Sequence, residues 1–406
     1  MKHVIIGAGA AGITAAKTIR GLKPHDEIVV ISLDDVVYSR CMLHKFISGE
    51  RKVSELSFVP SDFFEANNIR WIPSVDVSGI DTEKKQVFFG NAESYDRLLI
   101  ATGSKSIALP IKGLRGAKNV YGLRHLSDAC AIKKSAAKSE NIVIIGAGLV
   151  GLDAAYGLIE NGKRPVVVEM DDFVLAANLD KRAAHTYQKK FEEAGCRFRF
   201  GSRVSSILCD ESGAVSAVMI NDKVKLPCDL LITAVGVRPN IEFLKESAVA
   251  IYRDVIVNEY LATNVEGIYA AGDASGLSGN WPNAISQGET AAYNMCDIPT
   301  VYDDTFDKKN TINFFGTITL SVGQRMPYRD DVEHVTESHD RYNKVITRNG
   351  VPVGIILQGD VARSGVWQYL VKNEINIGKI PKPVWKVSFA DSYGIKEDGE
   401  YQWAAN

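Results

Sequence analysis

Cysteine is sparse and unpaired. The six cysteines, Cys41, Cys130, Cys196, Cys209, Cys228 and Cys296, are scattered over 406 residues with no CxxC or other close pair. That spacing argues against a structural zinc, an iron–sulfur cluster, a disulfide scaffold and an internal redox dithiol, and no metal site is expected. An excess of one charge is also missing: 47 Lys and Arg against 49 Asp and Glu leave a formal net charge of −2. Such a balance gives no overall pull towards nucleic acid or an acidic membrane. No apolar run approaches the ~18 residues that cross a bilayer, and no segment is of low complexity. What is there, 46% hydrophobic and 24% charged residues, is the composition of a globular chain long enough for two or three domains.

The strongest local signal lies in the first two dozen residues. His3-Val4-Ile5-Ile6 is an apolar strand, Gly7-Ala8-Gly9-Ala10-Ala11-Gly12 a glycine turn, and Ile13 to Ile19 a helical pattern. Gly7 allows the tight turn, Gly9 lets a pyrophosphate approach the backbone, and Gly12 lets helix and strand pack closely. A second strand is expected at Ile28 to Ser32. Val4 to Ala16 has the apolarity of a signal-peptide core, but cleavage there would destroy the glycine turn, so a cytoplasmic protein is expected.

The pattern repeats. Asn141 to Ile145 leads into Gly146-Ala147-Gly148-Leu149-Val150-Gly151 and a helix to Glu160. The next strand, Pro165 to Val168, ends in Glu169, an acid placed to accept from a ribose 2′-hydroxyl and to repel a 2′-phosphate. The expected cofactor at this second site is therefore NADH rather than NADPH. Between and after the two loops come Ala101-Thr102-Gly103, closing a buried strand, and the turn Gly236-Val237-Arg238-Pro239-Asn240. Gly272-Asp273 closes another strand, and a helix runs roughly from Ala284 to Met295. Beyond Pro299, Thr311 to Val322, Arg341 to Thr347 and Val351 to Leu357 alternate like antiparallel strands, and Val361 to Lys372 reads as a helix. Trp367, Trp385, Phe314 and Phe315 are read as core.

In their order and spacing these motifs, with Gln287-Gly288, resemble the FAD- and NAD(P)-dependent pyridine nucleotide–disulfide oxidoreductase family over essentially the whole chain. The resemblance implies an α/β fold with two Rossmann-like domains, one for FAD and one for NAD, the second inserted into the first, plus a C-terminal α+β domain. The boundaries are 1–110 with 245–302 for FAD, 111–244 for NADH and 303–406 for the C-terminal domain. It implies FAD contacts from Gly7, Gly9, Ala10, Ala11, Gly12, Ser32, Asp34, Arg40, Lys45, Val77, Ala101, Thr102, Gly103, Gly272, Asp273, Ala284 and Gln287. NADH contacts would come from Gly146, Gly148, Leu149, Val150, Gly151, Glu169 and Gly236. Ser32 stands where many members carry a ribose-binding Glu; either Asp34 or Asp35 substitutes for it, or the adenosine end is held more loosely. The helix carrying Gln287 would point its positive end at the flavin, where it would stabilise the charge of the reduced ring.

Within the family, Tyr38-x-Arg40-x-x-Leu43-x-Lys45 looks most like the single-flavin reductases, which include the rubredoxin and ferredoxin reductases and the flavoprotein part of nitrite reductase. That likeness implies electron transfer from NADH through flavin to a redox-protein acceptor, with an ion pair between Lys45 and Asp153 beside the flavin. A homodimer or heteromeric complex through the C-terminal domain stays open. The other branch, the CoA-disulfide reductases and NADH oxidases, carries Cys-x-Leu-Pro-Tyr; here only Cys41-x-Leu43 matches, and His44 and Lys45 replace Pro and Tyr. Cys41, expected at a helix N-terminus that would lower its thiol pKa, is the candidate catalytic residue of this alternative, a disulfide, persulfide or oxygen reductase. His44 is read as a surface histidine.

Overall fold

Val4, Ile5 and Ile6 are all buried because their strand, Lys2–Ile6, is the centre of a five-stranded parallel sheet ordered 268–270, 97–100, 2–6, 27–31, 70–72. Alternation along the strands sends residues to two separate cores. Ile5, with its register partners Val30 and Leu99, faces one side. Val4 and Ile6, with Val29, Ile31, Leu98 and Ile100, face the other. Helix Ala10–Leu22 covers the first side with Ile13, Ala16 and Ile19, and helix Trp281–Met295 joins it with Ala291, Ala292 and Met295. Each fully buried isoleucine contributes roughly 1.5–3 kcal/mol, so this strand is fixed by hydrophobic burial on both faces.

This computed structural model describes residues 1–304, 309–391 and 393–403. It divides into Met1–Gly146 with Asp153–Val166 and Val204–Asp307, and Ala147–Leu152 with Val167–Arg203 and Lys308–Asn406. In the first unit the strand before the second glycine loop, Ile142–Ile145, pairs in parallel with Leu230–Thr233, which pairs with Val120–Tyr121. Helix Leu126–Ala136 starts where the Asp128 carboxylate accepts the Arg124 and His125 N–H groups in a capping box. Helix Trp281–Met295 likewise starts before Ala284: the Asn280 side chain caps the Asn283 N–H, and Pro282 lies in the first turn.

In the second unit, helix Lys181–Glu193 is capped by Asp180, whose Oδ1 accepts the Ala183 N–H at 2.8 Å. The antiparallel sheet runs 309–314, 317–323, 351–358, 341–348, 332–338. Thr311 to Val322 is thus two strands, separated by Phe315 and Gly316, both at positive φ. Helix Ser364–Lys372 buries Trp367, which meets Trp385 edge-on, and Phe314 is also core. Lys344 is 3% exposed and is held by Asp180 at 2.5 Å and Glu333 at 3.1 Å. The class is α/β, with two Rossmann-like parallel sheets and a C-terminal antiparallel one. No helix among the described residues is long and apolar enough to cross a membrane, and none of their side chains cluster as a metal site.

Candidate nucleotide site

Strand Lys2–Ile6 ends at Gly7, whose φ of +116° and packing admit no side chain: a Cβ there would lie 2.1 Å from the Ala101 oxygen. The next helix starts at Ala10 with Gly9 as its N-cap and no side-chain cap. Its first N–H groups therefore have no intrahelical partner and present a partial positive charge to whatever lies beyond them. Beyond them is a cavity of about 630 Å³. It brings together Gly7, Gly9, Ala10, Ala11, Ser32, Asp34, Arg40, Cys41, Val77, Ala101, Thr102, Gly103, Gly272, Asp273 and Ala284. Gly12, Lys45 and Gln287 are not on its wall. Gly12 instead packs against Gly7, its missing Cβ 1.9 Å from the Gly7 oxygen.

Two charged networks furnish the cavity. In the first, Arg40 pairs with Asp34 at 2.8 Å and the Tyr38 hydroxyl donates to Asp34 at 3.1 Å. Burial opposes the Asp34 charge, but His125, Arg40 and Tyr38 together hold its carboxyl below the ordinary range. Ser32 is engaged as well, accepting from the Trp71 indole at 2.9 Å and donating to the Asp34 carbonyl at 2.8 Å. In the second, Asp273 accepts from Arg124 and from the Ser104 hydroxyl, each at 2.5 Å, and Arg124 Nε donates to the Ser104 carbonyl. Arg124 and His125 line the cavity and escaped the sequence reading. The signal was faint: a cation directly before a helix cap.

Gln287 is fully buried and works from behind the wall. Its Oε1 accepts the Gly272 N–H at 2.7 Å and the Ser275 hydroxyl at 2.9 Å, so it holds the Gly272-Asp273 turn in place. The N-terminal end of its helix reaches the cavity through Asn280, Trp281 and Ala284. The Ala101-Thr102-Gly103 turn is stitched to the later glycine turn, since Thr102 Oγ1 donates to the Asn240 carbonyl at 2.7 Å and Asn240 Nδ2 returns a bond at 3.1 Å. Gly236 itself sits at φ +105° beside Ile107.

The expected pair of Lys45 with Asp153 does not form. Helix Leu43–Ser48 ends at Gly49 in the left-handed region, which turns the chain back and sets Glu50 2.6 Å from the Lys45 ammonium. His44, not a surface residue, takes the place beside Asp153, with Nδ1 3.5 Å from Oδ1. Burial pushes the Asp153 carboxyl up to about 8, although its side chain keeps 29% of its surface. Cys41 lies in the short 3-10 turn Arg40–Met42 rather than at the α-helix N-terminus. The residue is exposed by surface area, yet desolvation, with Asp153 second, pushes its thiol up, so the expected thiolate-favouring dipole is not realised.

In the second unit the acid after the second loop is already engaged. Glu169 Oε2 accepts the Ala147 N–H at 2.5 Å, and Oε1 accepts the Met170 and Asp171 N–H groups at 2.6 and 3.0 Å. It thereby ties the glycine segment 147–152 to the end of strand Val166–Val168. In the first unit, Gly146 turns at φ +103°, where a Cβ would meet the Ala234 oxygen at 2.4 Å.

Residues 1–288 match the model of the pyridine nucleotide-disulphide oxidoreductase family. The nitrite reductase [NAD(P)H] of Bacillus subtilis (strain 168) is 27% identical over 93% of the chain, and the chain spans 48% of that relative, about half its length. The NADH-rubredoxin oxidoreductase of Clostridium acetobutylicum is 30% identical, over 75% of this chain and 76% of the other. Among solved structures, an NAD-dependent persulfide reductase from A. fulgidus superposes with a TM-score of 0.84 at 26% identity, covering 94% of this chain and 78% of that one.

Proposed function

The chain belongs to the pyridine nucleotide-disulphide oxidoreductase family, and on that premise we propose that it takes hydride from NADH onto FAD and passes the electrons to a redox protein. The acceptor would be of the rubredoxin or ferredoxin kind, or a partner reductase. The observation that carries this reading is the 630 Å³ cavity, which joins an open helix N-terminus, two arginines and a carboxylate turn along one wall system. An elongated nucleotide with a pyrophosphate in its middle and hydroxyls on either side fits those donors and acceptors. The family binds FAD and NAD(P)H, and FAD when bound supplies the two-electron carrier between nicotinamide and acceptor.

The chain's own residues then divide the work. The N–H groups at Ala10 to Gly12 and the Arg40 and Arg124 guanidiniums neutralise the pyrophosphate. Asp273 accepts from a sugar-alcohol hydroxyl, held at the right height by Gln287 through Gly272. Thr102 and Gly103 bring backbone close to the ring system, and the end of helix Trp281–Met295 favours negative charge there. Glu169 selects the nicotinamide nucleotide without a 2′-phosphate. The domains proposed for these tasks remain 1–110 with 245–302 for FAD, 111–244 for NADH and 303–406 for the acceptor interface. Residues 305–308, 392 and 404–406 of this division lie outside the described residues.

A second reading has its own observation: Cys41 lies on the cavity wall, and a persulfide reductase is among the similar structures. Its raised thiol pKa argues for the first reading. Anaerobic reduction with NADH, followed by titration with rubredoxin, ferredoxin, a disulfide and a persulfide while watching flavin absorbance, separates the two. The first reading expects reoxidation by a protein acceptor that survives Cys41→Ser. It fails if only the sulfur compounds reoxidise the flavin and the substitution abolishes that.

A further inference from the structure

Helices Leu43–Ser48 and Leu149–Glu160 touch backbone to backbone. Gly157 makes this contact, since a Cβ there would stand 2.6 Å from the His44 carbonyl oxygen. The neighbouring residue on the same helix, Tyr156, sets its ring edge-on to the His44 imidazole, with centroids 6.1 Å apart and planes at 72°. The imidazole is thereby aimed at Asp153. His44 Nδ1 is buried without a hydrogen-bond partner, and the Asp153 carboxylate oxygen lies 3.5 Å away. Two acceptors facing each other in a poorly solvated place would repel, so one proton lies between them: either on Nδ1 of the neutral imidazole, donated to an ionised carboxylate, or on the carboxyl, donated to an imidazole whose ring proton is on Nε2.

We propose that His44 and Asp153 hold a single proton between them, as a carboxylic acid facing a neutral imidazole, and that this couple sets the charge felt at the Cys41 end of the cavity. The surroundings decide which partner keeps the proton. Lys45 and Arg51, on the same segment as His44, act against an imidazolium; Glu50 and the Cys41 carbonyl act for it, but burial is the largest influence and opposes the charge. From the facing helix, Tyr156 offers a ring and Asp153 its carboxyl. Lys133, on helix Leu126–Ala136, is turned away onto the Phe46 carbonyl at 2.7 Å and over the Phe46 ring. Among the described residues no cation therefore holds Asp153 ionised, and Lys45 is occupied by Glu50. When the proton leaves for solvent through the exposed part of Asp153, one negative charge remains on the couple. That charge reaches Cys41, where Asp153 already acts on the thiol together with Arg124 and Asp273.

The first half of this proposal needs no cofactor; the second, that the charge is felt by a bound flavin, rests on the function proposed above. Imidazole nitrogen NMR of ¹⁵N-histidine-labelled protein tests the first half. His44 should stay neutral from pH 5.5 to 9, with its Nδ1 shift inflecting near pH 8 as Asp153 ionises. Asp153→Asn should abolish the inflection and Asp153→Glu restore it. A His44 that titrates near 6.5, or shows no inflection between pH 7 and 9, overturns the couple, and wild type alone suffices for that result. For the second half, the midpoint potential of the bound flavin is measured against pH. Both potentials fall with pH because flavin reduction takes up protons, but wild type should fall more steeply than Asp153→Asn above pH 8; parallel curves overturn the electrostatic role. Failure to bind flavin at all would instead refute the function proposed above and leave the NMR result standing.

Discussion

Substituting Gly288 by alanine should damage the fold and the nucleotide site together. Gly288 lies mid-helix in Trp281–Met295, and a Cβ on it would stand 2.2 Å from the Ala11 carbonyl oxygen. Ordinary contact begins at 3.4 Å, so about 1.2 Å must open between two helices that share one core. Because the obstacle is backbone, no side-chain rotation relieves it. Overpacking of this kind costs about 1–3 kcal/mol, and a rigid obstacle places it at the upper end, about 3 kcal/mol. Gly21 is the control: it lies in the opposing helix, Ala10–Leu22, at an ordinary φ with nothing within 4 Å of its missing Cβ. Gly21→Ala should stabilise by about 0.5–1 kcal/mol. Equilibrium urea denaturation followed by circular dichroism should show the Gly288→Ala midpoint falling by about 1 M and the Gly21→Ala midpoint rising. Ala11 lines the cavity, so Gly288→Ala should also release FAD more readily, read as free-flavin fluorescence. Equal midpoints for Gly288→Ala and wild type, or a loss in Gly21→Ala as large as in Gly288→Ala, would refute the packing argument.

Glu169→Ala should lower kcat/KM for NADH about tenfold, or ~1.4 kcal/mol, and the NADPH value by less, because the freed loop amides cost both nucleotides and the lost ribose contact costs NADH alone; steady-state kinetics with both nucleotides decides it. Arg124→Leu leaves Asp273 with the Ser104 hydroxyl alone and removes a cation from the cavity, so FAD retention should fall by about 1.5–3 kcal/mol, with Arg124→Lys between, as read by flavin release on dilution. His3 is fully buried against Asp26 at 2.9 Å, and burial holds its pKa below 6.5. The unfolded chain takes up a proton there through pH 6.5 and the fold does not, so stability should fall as pH drops below 6.5, by at most about 1.4 kcal/mol per pH unit. His3→Gln should lessen the fall of denaturation midpoints between pH 6.5 and 5, leaving the share of the buried neutral His44, in a window above the range where Asp26, held low by His3 and the N-terminus against burial, begins to lose its charge.

Much of the architecture was legible because glycine turns, buried strands and their alternation are local. Gly7 and Gly146 announce themselves by conformations that other residues avoid, and the helices after them by period. Local pattern runs out where position depends on a single residue of offset. Whether His44 or Lys45 meets Asp153 turns on where a six-residue helix stops, and that was decided by Gly49 and by the bare backbone of Gly157, far away in sequence. Arg124 was missed because its partner, Asp273, is 149 residues distant. Cys41 was placed at a helix start, where one turn of 3-10 geometry took the dipole argument away. Thr311 to Val322 alternates without a break, and its reversal at Phe315-Gly316 has only one glycine to signal it.

The three backbone N–H groups gathered by Glu169 have a consequence for redesign of nucleotide preference. Its rotamer is settled before any ligand arrives, so little conformational entropy is lost there on binding. The same arrangement makes the residue a poor place to begin changing that preference. Replacing it would free the Ala147, Met170 and Asp171 amides at once and slacken the loop proposed to receive a diphosphate. A cation introduced at Met170, which is 72% exposed, or at Asp171 would supply a phosphate partner while leaving the tether intact. Here the acid proposed to discriminate between nucleotides is also the fastening of the loop, and discrimination is better altered from its neighbours.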